Sequence, residues 1–209
     1  MTRRDAFEIE TMAVGEPVET ELKFQVGPRG LGKLAAHPAF AAAAEDKRLR
    51  SVYFDTPQGA LWAAGFSLRV REAGGAFVQT VKQAGAFAGF SRGEWECQTA
   101  SGRPDLAALA QTPAAGRLGG DTAALRPVFT TTVRRATRLW REGAAVIELS
   151  LDVGQIRAGK TVWAIRELEL ELKAGTPDAL FALARGLIEI APLRLAFDSK
   201  AERGWRLAR

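Results

Sequence analysis

The chain has 209 residues, 47% hydrophobic and 25% charged, an ordinary globular composition with length for one large core or two small ones. Its net charge of +5 and pI near 9.8 favour anionic partners, but 24 acidic residues argue against a uniformly basic nucleic-acid face. The single cysteine, Cys97, excludes an intrachain disulfide and fits a reducing compartment. The N-terminal stretch has no apolar run long enough for a signal peptide and no other run approaches a membrane span, so the expected location is cytoplasmic.

In chain order, residues 1–17 read as a flexible N-terminal tail closed by Gly15 and Pro17, and 18–209 as a single domain. A strand is expected over 18–26, then a helical stretch over 28–47 interrupted by Pro38. Strands follow at 49–55, 66–72 and 76–83, the last two flanking a Gly74-Gly75 hairpin. A strand at 90–99 leads into a short helix and Gly-rich loop over 103–120. Strands at 128–140 and 144–152 enclose Arg141-Glu142-Gly143, and another runs over 161–173. Thr176 and Pro177 are the N-cap and first turn of a helix reaching about residue 190. The stretch 193–209 is basic and mixed in character.

Three of these strands carry charge at every second position: Glu19-x-Glu21-x-Lys23, Arg69-x-Arg71 and Glu167-x-Glu169-x-Glu171-x-Lys173. A period of two sends the charges to one face and Leu22, Leu68, Val70, Leu168, Leu170 and Leu172 to the other. One such strand is an ordinary half-exposed strand. Several, bearing both signs, point to a barrel with a polar lumen and helices packed on its apolar exterior. Such a lumen suits a polyanion held by Arg and Lys, with metal ions held by Glu. Two glycine motifs in the first loop compete with this. Gly27-x-x-x-x-Gly32-Lys33 lacks the Ser or Thr of a P-loop, and Gly30-x-Gly32-x-x-Ala35 follows a strand too charged for a parallel sheet. Both read as a strand-to-helix connection.

The ordered set of motifs resembles the CYTH superfamily, the triphosphate tunnel metalloenzymes. The set comprises Glu19-x-Glu21-x-Lys23, Tyr53-Phe54-Asp55-Thr56-Pro57, Leu68-Arg69-Val70-Arg71-Glu72, Thr80-Val81-Lys82, Arg92-x-Glu94, Arg134-Arg135, Glu148 to Asp152, Glu167 to Glu171, and Ser199-Lys200-x-x-Arg203-Gly204. It is most similar to the CYTH domain of bacterial inorganic triphosphatases, many of which continue into a helical second domain. The resemblance implies an α+β fold built on an eight-stranded antiparallel β-barrel, and metal-dependent hydrolysis of tripolyphosphate to diphosphate and phosphate. It also implies a site. Lys23, Arg69, Arg71, Lys82, Arg92, Arg135 and Lys200 would hold phosphate; Glu19, Glu21, Glu94, Glu148, Asp152, Glu167, Glu169 and Glu171 would hold Mg²⁺ or Mn²⁺, as two ions. Lys82 and Lys200 are the candidate catalytic lysines, with Lys82 a phosphate clamp first and a base second.

The chemistry of these residue types agrees. Arginine forks match phosphate oxygens in pairs, hard divalent cations take carboxylate oxygens, and phosphoryl transfer asks mainly for positioning and electrostatics. Adjacent Arg134 and Arg135 cannot both face inward, and the registration favours Arg135. Taken singly, each charged pair is better read as a solvated sheet face or a cross-strand ion pair; the repetition is what opposes that reading. His37 reads as structural, Cys97 as a buried thiol, and Trp62, Trp95, Trp140, Trp163 and Trp205 as packing residues. The alternatives are a class IV-type adenylate cyclase, a thiamine- or nucleoside-triphosphatase, or a non-catalytic polyphosphate-binding module. A nucleotide user would need an apolar or aromatic slot at the mouth, and a mere binding module would have lost the carboxylates. The expected partner is a small anionic substrate rather than nucleic acid or membrane, in a monomer or homodimer.

Overall fold

The structure, a computed structural model, describes residues 18–37, 40, 45–83, 91–120 and 122–209, with Val18, Glu19, Ser91 and Arg92 described in their backbone alone. The expected tail 1–17 lies outside the described residues. Nine strands are present among them: β1 (Val18–Val26), β2 (Glu45–Asp55), β3 (Phe66–Ala73), β4 (Ala76–Gln83), β5 (Ser91–Thr99), β6 (Arg126–Glu142), β7 (Ala145–Ala158), β8 (Thr161–Ala174) and β9 (Leu193–Leu195). The α-helices with a defined range among the described residues are α1 (Pro28–Ala36), α2 (Ala60–Ala63), α3 (Leu106–Ala110), α4 (Pro177–Ile190) and α5 (Lys200–Ala208). All described strand pairings are antiparallel, in the order β5-β4-β3-β2-β6-β7-β8-β1-β9.

The order turns back on itself. The first residues of β1 lie opposite β5, with Val18 facing Gly93, Glu19 facing Arg92 and Thr20 facing Ser91, while Glu21 to Gln25 face β8. Eight strands therefore surround a lumen, and β9 adds a short flank to β1. Among the described residues the seam carries those three pairs.

Alternation decides what faces where. In β3 the burial alternates between Phe66, Leu68 and Val70, which are buried, and Arg69 and Arg71, which are half-buried on the opposite side. The outward apolar set builds two cores. Leu22, Phe24, Leu149, Leu168 and Leu170 pack beneath Leu180, Ala184 and Leu187 of α4 and Leu34 of α1. Val52, Phe54, Leu68, Val70 and Val81 pack beneath Leu61, Leu109 and Leu118. Each fully buried leucine here contributes about 1.5–3 kcal/mol, so the barrel wall is stabilised from outside and its inner face is left for charge.

One helix does not pack on the outside. Ala201 of α5 joins a third core with the inward-facing Tyr53, Phe129, Val133, Ile156 and Ile165, and Trp205 packs against it. This helix forms the floor of the lumen. It starts with a capping box, Ser199 Oγ accepting from Glu202 N at 3.1 Å and Glu202 Oε2 accepting from Ser199 N at 2.6 Å. Gly204 lets it approach, because a Cβ there would come within 2.1 Å of the Phe129 ring.

Several expected boundaries shift. Of the helical stretch expected over 28–47 with an interruption at Pro38, α1 covers Pro28–Ala36 and Phe40 is helical, while residues 45–48 belong to β2, opposite β6 from Thr137 to Arg134; residues 38–39 and 41–44 lie outside the described residues. The run Glu45-Asp46-Lys47-Arg48 has no apolar alternation, so tertiary pairing made it a strand. Strand β7 continues past Asp152 to Ala158 because Gly154 does not break it. A Cβ at Gly154 would meet the Thr132 carbonyl oxygen at 2.0 Å, so the glycine permits close approach of β6. Arg141 and Glu142 are strand residues, and the turn there is Gly143-Ala144. Gly74 and Gly75 make the expected hairpin with φ of 58° and 85°. Thr176 precedes α4, but its side chain makes no capping bond.

Candidate active site in the barrel lumen

Three neighbouring strands bring their charged faces into register. Across β7, β8 and β1, Glu148 lies opposite Glu171 and Glu171 opposite Glu21. The next inward-facing row is Ser150, Glu169, Lys23, and the row below it is Asp152, Glu167, Gln25. A row of three like charges directly opposite one another is unfavourable unless cations sit among them. Lys23 Nζ stands 3.3 Å from Glu21 and Lys173 Nζ 2.5 Å from Glu171.

The lowest row is already compensated. Lys200, the first residue of α5, places its ammonium 2.8 Å from Asp152, 2.6 Å from Glu167 and 2.6 Å from Glu169. Arg135 grips Asp152 with two hydrogen bonds of 2.7 Å and also binds Glu169. Arg203, one turn along α5 from Lys200, binds Glu167. Glu167 is fully buried and Arg203 nearly so, at 0% and 3% side-chain exposure, which no unpaired charge could tolerate. Burial works against the charge on Lys200, but Asp152, Glu169 and Glu167 outweigh it and hold the ammonium's pKa well above its ordinary value. Burial also opposes ionisation of Glu169 and Asp152; Lys200 and Arg135 overcome it, so both carboxyls titrate below their usual range.

A pH dependence follows. Carboxyls whose folded pKa is depressed contribute stability above their unfolded pKa, and that contribution is lost as pH falls through the folded value. The melting temperature should hold from neutrality down to about pH 5 and fall below about pH 4. Asp152→Asn should flatten that fall. An acid limb identical in the variant would refute the assignment.

The opposite wall is cationic. Arg69 and Arg71 of β3 project into the lumen beside Tyr53, and Arg71 Nε reaches Ser51 Oγ at 3.4 Å. Arg69 lies 3.9 Å from Glu94 and 3.8 Å from Glu96, long for ion pairs, and its buried Nε–H has no hydrogen-bond partner. Arg69, burial and Arg135 together depress the pKa of Arg71 to about 10. Tyr53 shows the same field: burial opposes its ionisation, yet Arg69, Arg71 and Lys200 pull the phenol below its ordinary pKa. Lys82 binds Glu94 at 2.6 Å, and Thr80 donates to Glu96 at 2.7 Å.

Of the residues expected to form the site, Lys23, Arg69, Arg71, Lys82, Arg135 and Lys200 line this lumen together with Glu21, Glu94, Glu148, Asp152, Glu167, Glu169 and Glu171. The side chains of Glu19 and Arg92 lie outside the description. Arg134 points outward to Asp46, leaving Arg135 inward. The titratable lumen residues Glu96, Tyr53 and Arg203 were not among the expected set. Glu96 is two residues from Glu94 on one strand, and Arg203 is three from Lys200 on one helix, so both share their neighbour's face.

The donor set fits a hard divalent cation. One oxygen each of Asp152, Glu167 and Glu169 lie within 4.8 Å of one another, and the Glu148–Glu171–Glu21 row sits above them. In the lower cluster an ion would compete with Lys200, Arg135 and Arg203; in the upper row it would relieve like-charge repulsion.

Fold and lumen define a polar-lumened antiparallel barrel with a helical floor. Residues 18–205 match the CYTH domain, and the chain belongs to that family. It is similar to the inorganic triphosphatase of Haemophilus influenzae, 28% identical over 200 residues. That match covers 90% of this chain and 54% of the relative, so the chain spans about half the relative's length. Among solved structures it is similar to a Hippeastrum protein described as an adenylyl cyclase candidate with a dominant triphosphatase activity (16% identity, 90% of this chain and 95% of that one, TM-score 0.64). A candidate adenylate cyclase from Bacillus halodurans shares 19% identity over 90% of this chain and 98% of that one, with a TM-score of 0.58. At these identities the two structures speak to the fold alone. No helix among the described residues is long and apolar enough to cross a membrane.

Proposed function

We propose that the protein is a divalent-metal-dependent hydrolase that cleaves inorganic triphosphate to diphosphate and phosphate inside this lumen. The observation that carries the reading is the crowding of Arg69, Arg71 and Arg135, with Arg71 forced down to about 10, across from a row of three carboxylates. Mutually repelling guanidiniums gain most from a polyanion placed among them. The inorganic triphosphatase relative favours the same chemistry.

Arg69 and Arg71 hold phosphate oxygens, and the unpartnered Nε–H of Arg69 supplies one donor ready for them. Lys23 and Lys82 act as further clamps. Glu148, Glu171 and Glu21 hold the cation, with Glu169 beneath them. A bound Mg²⁺ or Mn²⁺ would neutralise phosphate charge and lower the pKa of an attacking water. Lys200, kept protonated by its three carboxylates, serves as a fixed positive charge at the floor rather than as a base.

Two variants test the division of labour. Arg71→Ala should weaken binding of tripolyphosphate by about 1.5–3 kcal/mol, roughly tenfold to a hundredfold. Glu171→Gln should raise the Mg²⁺ concentration needed for half-maximal turnover while metal-free anion binding is kept or tightened, because one repelling carboxylate is gone. Titration calorimetry with tripolyphosphate and a Mg²⁺ activation curve read the two separately. Equal losses of both affinities in both variants would sink the assignment.

A further inference from the structure

The outer side of the barrel carries a second cationic surface, facing away from the lumen. Arg48 of β2 lies opposite Arg134 of β6, Arg134 opposite Val153 of β7, and Val153 opposite Arg166 of β8. These four residues form one outward-facing row across four strands. Arg50 lies two residues along β2 from Arg48, and Arg157 four residues along β7 from Val153. All five arginines are exposed. Thr132, Val153, Val162 and Ala164, which share the wall, are exposed too, so solvent reaches this part of the sheet. The two cores described above lie under other parts of it.

The charge here is one-sided. Outward positions of β6, β7 and β8 between residues 130–138, 151–157 and 162–168 contain no acidic residue. Asp46, next to Arg48 and paired with Arg134 at 2.8 Å and 3.0 Å, is one carboxylate at the wall's edge; Glu72 lies opposite Arg50. Like charges directly opposite, as at Arg48 and Arg134, weaken a sheet unless an anion joins them. Neighbouring strands are about 4.8 Å apart and alternate residues about 6.8 Å apart, so the five forks form a grid that an extended anion can cross.

We propose that this wall binds a linear inorganic polyphosphate chain, recognised by its backbone charge alone. Arginine forks suit phosphate oxygens. The grid holds no aromatic side chain on which a nucleobase could stack, which removes the term that single-stranded nucleic acids add to backbone contacts. It also lacks the large apolar anchor around which a protein interface concentrates its energy. The choice of a phosphate chain rests on the reading of the lumen, whereas the wall itself does not, and it is separate from the lumen in its residues and its direction.

Fluorescence anisotropy with end-labelled long-chain polyphosphate tests the proposal, using the triple variant Arg48→Ala/Arg134→Ala/Arg166→Ala. Affinity at about 0.1 M salt should fall at least tenfold, and the slope of log affinity against log salt should drop by about one unit per arginine removed. Tripolyphosphate hydrolysis should remain at the wild-type rate. Asp46→Asn, which releases Arg134 and removes an opposing charge, should tighten binding several-fold. Unchanged long-chain affinity in the triple variant would overturn the proposal. Single-stranded RNA of equal length binding as tightly, with the same loss in the variant, would overturn the choice of occupant. Failure of the lumen reading shows separately, as absent tripolyphosphate hydrolysis in the wild type while long-chain binding still responds to the wall.

Discussion

Excess chelator should reduce hydrolysis of tripolyphosphate to background, and Mg²⁺ or Mn²⁺ added beyond the chelator should restore it. The expectation rests on Glu148, Glu171 and Glu21 standing abreast on three adjacent strands. Three carboxylates in that arrangement, with Lys23 and Lys173 offsetting part of their charge, still repel one another and an incoming polyanion. Without a cation between them, the substrate meets acidic and basic walls of the lumen at once, and the acidic one cancels much of the attraction of Arg69 and Arg71. A divalent ion reverses the sign of that wall. Binding should also show without turnover: a ligand at a hundredfold its dissociation constant stabilises the folded state by about 2.7 kcal/mol. A melting curve with and without Mg²⁺ should therefore separate, and Glu171→Gln should close the gap. Full turnover in chelator, or melting curves that coincide, would dismiss the metal from the reaction.

Arg203→Met should be strongly destabilising. It leaves Glu167, which is completely buried, to share Lys200 with Asp152 and Glu169. Breaking one partner of a buried pair costs about 3–5 kcal/mol, and the remaining contact with Lys200 puts this case near the lower figure. For a chain of this size that is on the order of 10 °C in melting temperature. Adding Glu167→Gln should recover much of the loss, because it removes the stranded charge. A double variant as unstable as the single one would mean that packing of the arginine stem, not its charge, holds the helix.

The lumen was legible in the sequence because period-two charge is rare on strands whose other face is leucine. Leu168, Leu170 and Leu172 fixed the inward direction of Glu167, Glu169 and Glu171 before any pairing was known. Parity likewise separated Arg135 from Arg134. What pairing adds is level: only the register shows that Glu148, Glu171 and Glu21 share one row whereas Asp152 and Glu167 share another. The floor was harder to read. Ser199-x-x-Glu202 is a capping-box signature that marks a helix start, yet the following residues are basic and short of apolar periodicity. The start of β2 was illegible for a different reason, since Glu45 to Arg48 pair along a charged edge and show no apolar alternation.

The helix that floors the lumen lies after every described barrel strand in the chain. Lys200 and Arg203 can therefore enter the lumen only after the strands that enclose it have been made. Until the helix docks, Asp152, Glu167 and Glu169 face one another with Arg135 as their neighbouring cation, and the lumen lacks its floor. Competence to hold a polyanion therefore waits on the docking of this helix, which lies later in chain order than every described barrel strand.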